Sequence, residues 1–250
     1  MSANGARSPA DYIVFALDVP GLQAVKPYVE ALSGAVGMFK VGLELFIREG
    51  PAVVEYVQRK SGTDVFLDLK LHDIPETVRR AVAGMAKLQV AYATVHCGDS
   101  RRMLEAAVEG GGKQVKILGV TVLTSVGFDD IQGTGGGPSH PPALADLVIR
   151  RAARAHAAGC AGVICSGLEA AAVRREMGRD FKIITPGIRP ANSRAPDDQR
   201  RTVTPAQAVL AGADHIVVGR PIRDAADPRA AAERIAEQIE AVFHQDNMKK

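Results

Sequence analysis

The sequence predicts a one-domain α/β fold, a closed (β/α)8 TIM barrel, on three observations. Short β-branched and apolar runs recur along the 250 residues, Ala-, Leu- and Arg-rich stretches of helical period separate them, and eight such strand candidates can be counted. The first, YIVFALD at 12–18, leads into a helix over roughly 21–34. The unit then repeats with MFKVG (38–42), DVFLDLK (64–70), AYATVH (91–96), VKILGVT (115–121), AGVICS (161–166), FKIITPG (181–187) and DHIVVG (214–219). The intervening stretches, among them 100–110, 143–158 and 228–243, are long enough for crossover helices, which makes neighbouring strands parallel. Eight such units close a barrel, and 250 residues is an ordinary length for one. An open doubly wound sheet would want a Gly-rich turn after its first strand, but DVPGLQ there contains no G-x-G-x-x-G. The barrel domain is expected over 11–244, with disordered tails at 1–10 and 245–250.

Apolar residues make up 46% and charged residues 24%, the balance of a globular chain that buries a large core. A net charge of +3 is too small to argue for a polyanionic partner. The five Arg-Arg pairs (79–80, 101–102, 150–151, 174–175, 200–201) fall mostly in helical segments mixed with acidic residues and read as a solvated outer face. With no Trp and four Tyr there is no stacking platform, so nucleic-acid binding is not expected. Cys97, Cys160 and Cys165 have no C-x-x-C spacing and read as small core residues in a reducing compartment. The start, MSANGARSPA, lacks an apolar signal core, and no run approaches the ~18 apolar residues of a membrane span. A cytoplasmic protein without a membrane partner is expected. The loop GFDDIQGTGGGPSHPP at 127–142 lacks the Lys and Ser/Thr of a P-loop and reads as a lid or insertion.

Barrel sites gather at the carboxyl ends of the strands. These ends are unusually polar here: Asp18, Lys40, Asp68 with Lys70, His96, Thr121 with Thr124, Ser166, Arg189 in PGIRP, and Gly219 with Arg220 in GRP follow one another from the first unit to the eighth. Singly, each has a bland explanation: a helix cap for Asp18, a turn for Ser166, a hydrogen-bonded core position for His96. Their coincidence at one rim is the signal. Asp68 and Lys70 are two apart, so a regular strand points both into the mouth, with Phe66 behind them and Val65, Leu67 and Leu69 facing the helices. Charges placed there must be paired, with Lys40 and Asp73 the nearest partners; a purely structural ion-pair network is the alternative. Pro75 and Glu76 open a helix, so Asp73 and Thr77 are expected to reach the mouth too. Arg189 and Arg220 suit a phosphate between units seven and eight, making a phosphorylated small molecule the expected substrate class.

The segments carrying these residues resemble the orotidine 5′-phosphate decarboxylase family in its bacterial form: FALDVP, FKVGLELF, FLDLKLHDIPETV, TVLTS, TPGIRP and DDQRRTVTPAQAVLAGADHIVVGRPI, spanning about 12 to 240. The resemblance implies a homodimeric barrel that converts orotidine 5′-phosphate to uridine 5′-phosphate and CO2 in pyrimidine biosynthesis, with neither metal nor organic cofactor. It implies Lys70 as proton donor in an alternating array Lys40–Asp68–Lys70–Asp73, with Asp73 and Thr77 serving the neighbouring subunit's site. It further places Asp18 and Lys40 on the ribose hydroxyls, Thr124 on the pyrimidine, and Arg189, Gln199, Gly219 and Arg220 on the phosphate. The GTGGGPSHPP loop departs from the family pattern. A sugar-phosphate decarboxylase or aldolase of the same superfamily shares Asp-x-Lys-x-x-Asp and would use Mg2+; DIPETV and DQRR favour the nucleotide enzyme. A catalytically silent nucleotide-binding module would have no need for the alternating charges.

Overall fold

A computed structural model describes residues 7–126, 130, 144–190 and 201–247. Eight parallel strands close in sequence order: β1 (Ile13–Ala16), β2 (Met38–Gly42), β3 (Asp64–Leu71), β4 (Tyr92–His96), β5 (Lys116–Val120), β6 (Gly162–Ile164), β7 (Lys182–Thr185) and β8 (His215–Val218), with β8 paired to β1. The fold is therefore the (β/α)8 TIM barrel expected, with helices such as Leu22–Leu32, Pro75–Lys87, Arg101–Gly111 and Gly167–Met177 between the strands. Pro51, Pro75, Pro205 and Pro228 each open a helix, where the missing N–H costs nothing. Most strands end before the predicted limit, because rim residues such as Asp18 and Ser166 lie beyond the last ladder pair.

Strand alternation separates two cores. Val14, Met38, Phe66, Tyr92, Leu118, Ile164 and Ile184 point inward and fill the barrel. Residues of the other parity, among them Ile13, Phe15, Val65, Leu67 and Ile117, pack against the helices. Cys97, Cys160 and Cys165 are all buried in this outer core, and burial pushes each thiol up to about 12.

Three expectations need correction. Structured backbone begins inside the segment read as a disordered tail: Pro9–Tyr12 form a 3-10 turn, and Arg7 donates from Nη2 to His215 Nδ1 at 2.7 Å. The last helix, Pro228–Asn247, runs past the boundary set at 244. The Arg-Arg pairs are also not uniformly solvated. Arg101 and Arg102 are exposed, but Arg174 is partly buried, pairing with Asp214 at 2.5 Å and with several carbonyls, while Arg201 is buried. The loop 127–142, apart from Asp130, lies outside the described residues. Among the described residues no helix is long and apolar enough to cross a membrane.

The helices Pro75–Lys87 and Arg101–Gly111 approach closely at Gly110, where an added Cβ would lie 2.3 Å from the Arg79 carbonyl oxygen. Gly84, exposed on the first of these helices, has nothing within 4 Å of an added Cβ. Gly84→Ala is expected to stabilise the chain by about 0.5–1 kcal/mol. Gly110→Ala gains the same entropy but separates the helices, and is expected to cost about 1–3 kcal/mol. Chemical denaturation of the two variants measures both signs.

Candidate active site

Following the inward-facing rows toward the carboxyl ends, apolar side chains give way to polar ones: Met38 to Lys40, Phe66 to Asp68, Tyr92 to Thr94. A cavity of about 520 Å3 opens above Phe66, Val120, Ile164 and Val217. Its walls bring together Asp18, Lys40, Asp68, Lys70, Thr124, Arg189, Gly219 and Arg220 from six different strand–loop units.

On one wall the charges alternate in a continuous line. Lys40 Nζ lies 3.2 Å from Asp18 Oδ1 and 3.7 Å from Asp68 Oδ2, and Lys70 Nζ lies 2.7 Å from the same Asp68 oxygen. Asp68 and Lys40 are both 8% exposed. Burial by itself would raise the Asp68 pKa, but Lys40 and Lys70 outweigh it, and hydrogen bonds from Lys70 and Thr94 add to their effect. The carboxyl is therefore held below its ordinary range.

Lys70 does not reach this position by regular alternation. Its φ is +50°, a left-handed conformation rare for a residue other than Gly, and the β3–β4 register shifts between Leu67 and Leu71. Thr94 on β4 takes up the irregularity. Its Oγ1 accepts from the Lys70 N–H at 2.9 Å and donates to Asp68 Oδ1 at 2.9 Å, so one buried hydroxyl fixes both the backbone of the lysine and the carboxylate that receives its ammonium. The sequence reading passed over Thr94. The available signal was its parity with His96, two residues on along the same strand.

Asp73 and Thr77 are both exposed, and neither lines the cavity. Asp73 Oδ1 accepts from the Ile74 N–H at 2.6 Å, just before the helix Pro75–Lys87. Within one chain the array is therefore Asp18–Lys40–Asp68–Lys70. Gln199 lies outside the described residues. Ser166 takes the bland role, capping the helix Gly167–Met177 by accepting from the Leu168 N–H. His96 is packed against His72, with ring centroids 5.7 Å apart, and its pKa is lowered by burial, then by His72 and Lys70. Arg223, which the sequence did not single out, lines the cavity and donates to the Asp18 carbonyl at 3.0 Å.

Residues 11–235 match the model of the "Orotidine 5'-phosphate decarboxylase / HUMPS family". The chain belongs to this family. A relative from Desulfosudis oleivorans named orotidine 5′-phosphate decarboxylase is 49% identical over 237 residues, covering 94% of this chain and 95% of the relative. One of the same name from Methylococcus capsulatus is 47% identical, covering 94% of each. The crystal structure of orotidine 5′-phosphate decarboxylase from Lactobacillus acidophilus superimposes with a TM-score of 0.77 at 35% identity, over 91% of this chain and 98% of that one. Relatives bearing this name are carboxy-lyases.

For a family member whose charged row hangs on one hydroxyl, Thr94 is a sensitive position. Thr94→Val keeps the shape but leaves the Lys70 N–H and one Asp68 oxygen without this partner, and is expected to destabilise the fold by about 1–3 kcal/mol. Thr94→Ser keeps the hydroxyl and should recover most of that loss in the same denaturation experiment.

Proposed function

We propose that the chain converts orotidine 5′-phosphate to uridine 5′-phosphate and CO2 in pyrimidine nucleotide biosynthesis, with Lys70 as proton donor. The observation that carries this reading is the Lys40–Asp68–Lys70 row, its first two members buried and Lys70 half-buried, facing a cavity that Arg189, Gly219 and Arg220 also line. Loss of CO2 breaks a carbon–carbon bond and leaves the electron pair on a ring carbon. The Lys70 ammonium stabilises that developing charge and then delivers its proton to the carbon, recovering one from water afterwards. Asp68 aims the ammonium and presents like charge to the departing carboxylate. No metal or organic cofactor is needed, because the side chains supply the charge.

Asp18 and Lys40 hold the ribose hydroxyls, and Thr124 contacts the pyrimidine. Arg189, Gln199, Gly219 and Arg220 grip the phosphate, whose binding energy acts on the distant bond by holding the base in place. The functional unit is a homodimer with shared sites. Leu43, Ile47 and Ile74 are 55%, 75% and 67% exposed, large apolar side chains that their own chain leaves uncovered. Leu43 borders a second hollow lined by Asp18, Lys40, Asp68 and Lys70, so a partner covering it can bring its own Asp73 and Thr77 to the row.

Incubation of the purified protein with orotidine 5′-phosphate should lower absorbance on the long-wavelength side of the pyrimidine band as the ring carboxylate is lost, and excess chelator should not slow the reaction. Absence of turnover, or its loss to chelator, overturns the reading. Lys70→Ala should still bind uridine 5′-phosphate while kcat falls by at least about 10²-fold.

Shared sites have their own test. Lys70→Ala and Asp73→Ala homodimers are each expected to be nearly inactive. Reassembled together in equal amounts, half the dimers are mixed, and each mixed dimer has one site with both residues intact. Activity should return to about a quarter of wild type. No recovery, with mixed dimers demonstrated, places Asp73 outside the partner's site.

A further inference from the structure

The cavity wall formed after β5 is tied down by a second buried charge pair that the proposed reaction does not use. Arg201 is 7% exposed and Glu169, in the first turn of the helix Gly167–Met177, is 6% exposed. Arg201 donates from Nη1 to Glu169 Oε1 at 2.7 Å and from Nη2 to the carbonyls of Val122 and Leu123, both at 3.1 Å. Val122, Leu123, Thr124 and Ser125 all line the cavity, and within the turn they form the Val126 N–H donates to the Leu123 carbonyl at 3.0 Å. Ser166 Oγ donates to the Arg201 carbonyl at 3.4 Å and seats its main chain against the same helix.

This pair is an expensive way to fill space. Burial pushes the Glu169 carboxyl up, with Arg201 opposing, while Glu169 Oε2 and Arg201 Nε have no partner among the described residues. Apolar side chains of similar volume stabilise a fold at least as well as a buried ion pair. A guanidinium differs in geometry: its planar fork fixes the directions of several acceptors at once. Here those acceptors are a carboxylate on a helix and two successive carbonyls of the turn that carries Thr124.

We infer that Arg201, held by Glu169, is a positioning residue that fixes the Val122–Ser125 turn so that Thr124 reads the base of the bound nucleotide. The inference rests on the proposed function and adds to it a specificity determinant that does not touch substrate. It makes a prediction that a merely structural ion pair does not: losing Arg201 should weaken binding of the base and spare the sugar phosphate.

The test compares dissociation constants for uridine 5′-phosphate and ribose 5-phosphate, by calorimetry on the purified protein. Wild type must turn over orotidine 5′-phosphate and bind the nucleotide more tightly than the sugar phosphate; if it does neither, the proposed function itself has failed. Given that behaviour, the double variant Arg201→Met/Glu169→Leu removes both charges together, so no buried charge is orphaned. It should melt near the wild-type temperature and bind ribose 5-phosphate within about twofold of wild type, while uridine 5′-phosphate binds about tenfold more weakly, the size of one hydrogen bond. Arg201→Lys, whose single ammonium does not reproduce the fork, should fall between. If the double variant does not fold, Arg201→Lys decides by the same ratio. An unchanged ratio of the two constants, or equal weakening of both ligands, overturns the inference.

Discussion

The carboxylate of Asp68 lies between two ammonium groups with little solvent to screen it, and the rim is arranged around keeping it ionised. Removing a carboxylate from water costs several kcal/mol in a real protein, while one unit charge at about 4 Å returns about 4 kcal/mol at an effective dielectric of 20. One lysine would therefore leave the balance near zero; two lysines with the Thr94 hydroxyl make it favourable. The left-handed backbone of Lys70, costing about 1–3 kcal/mol, is sustained by that same network. Strain and charge thus support each other. The ammonium is held in place by the chain itself, so the reaction proposed for it needs no reorganisation as negative charge develops nearby.

Across the cavity the balance of charge differs. Five cationic side chains (Lys40, Lys70, Arg189, Arg220 and Arg223) and two anionic ones (Asp18 and Asp68) are among the described residues that line it. The chain as a whole carries only +3, so the excess is concentrated where a phosphorylated ligand would enter. The barrel makes this gradient possible: on β2, β3 and β4 the inward row is apolar at the base and polar toward the mouth, while the other parity packs against the helices.

Much of this was legible in the sequence because it rests on parity and on the cost of burying charge. A strand such as DVFLDLK cannot carry Asp68 and Lys70 into a barrel without partners, and Lys40 on the neighbouring strand was the partner to expect. What escaped detection has at most a faint local signature, such as the parity of Thr94 with His96. Thr94 is an ordinary β-former in an ordinary strand, and a residue other than Gly at positive φ looks no different from its neighbours. Arg201 sits in the hydrophilic run DDQRR and reads as surface; its partner Glu169 is 32 residues earlier, so the pair exists only after folding. Asp73 and Thr77 do not line the cavity of their own chain. The helix start was read correctly, but its direction relative to the mouth is set by the chain leaving the sheet.

The turn Pro9–Tyr12 packs against the last helix, with the rings of Tyr12 and Phe243 5.4 Å apart, while β1 pairs directly with β8. Unit eight therefore stands to unit one much as any unit stands to the next, and the ring has no structural beginning. A peptide joining the turn Pro9–Tyr12 to the last helix, with a new opening cut in a loop away from the cavity, would preserve every strand pair and the whole charged row. Which strand is translated first is a matter of the gene's history, and the order around the ring is what the chemistry depends on.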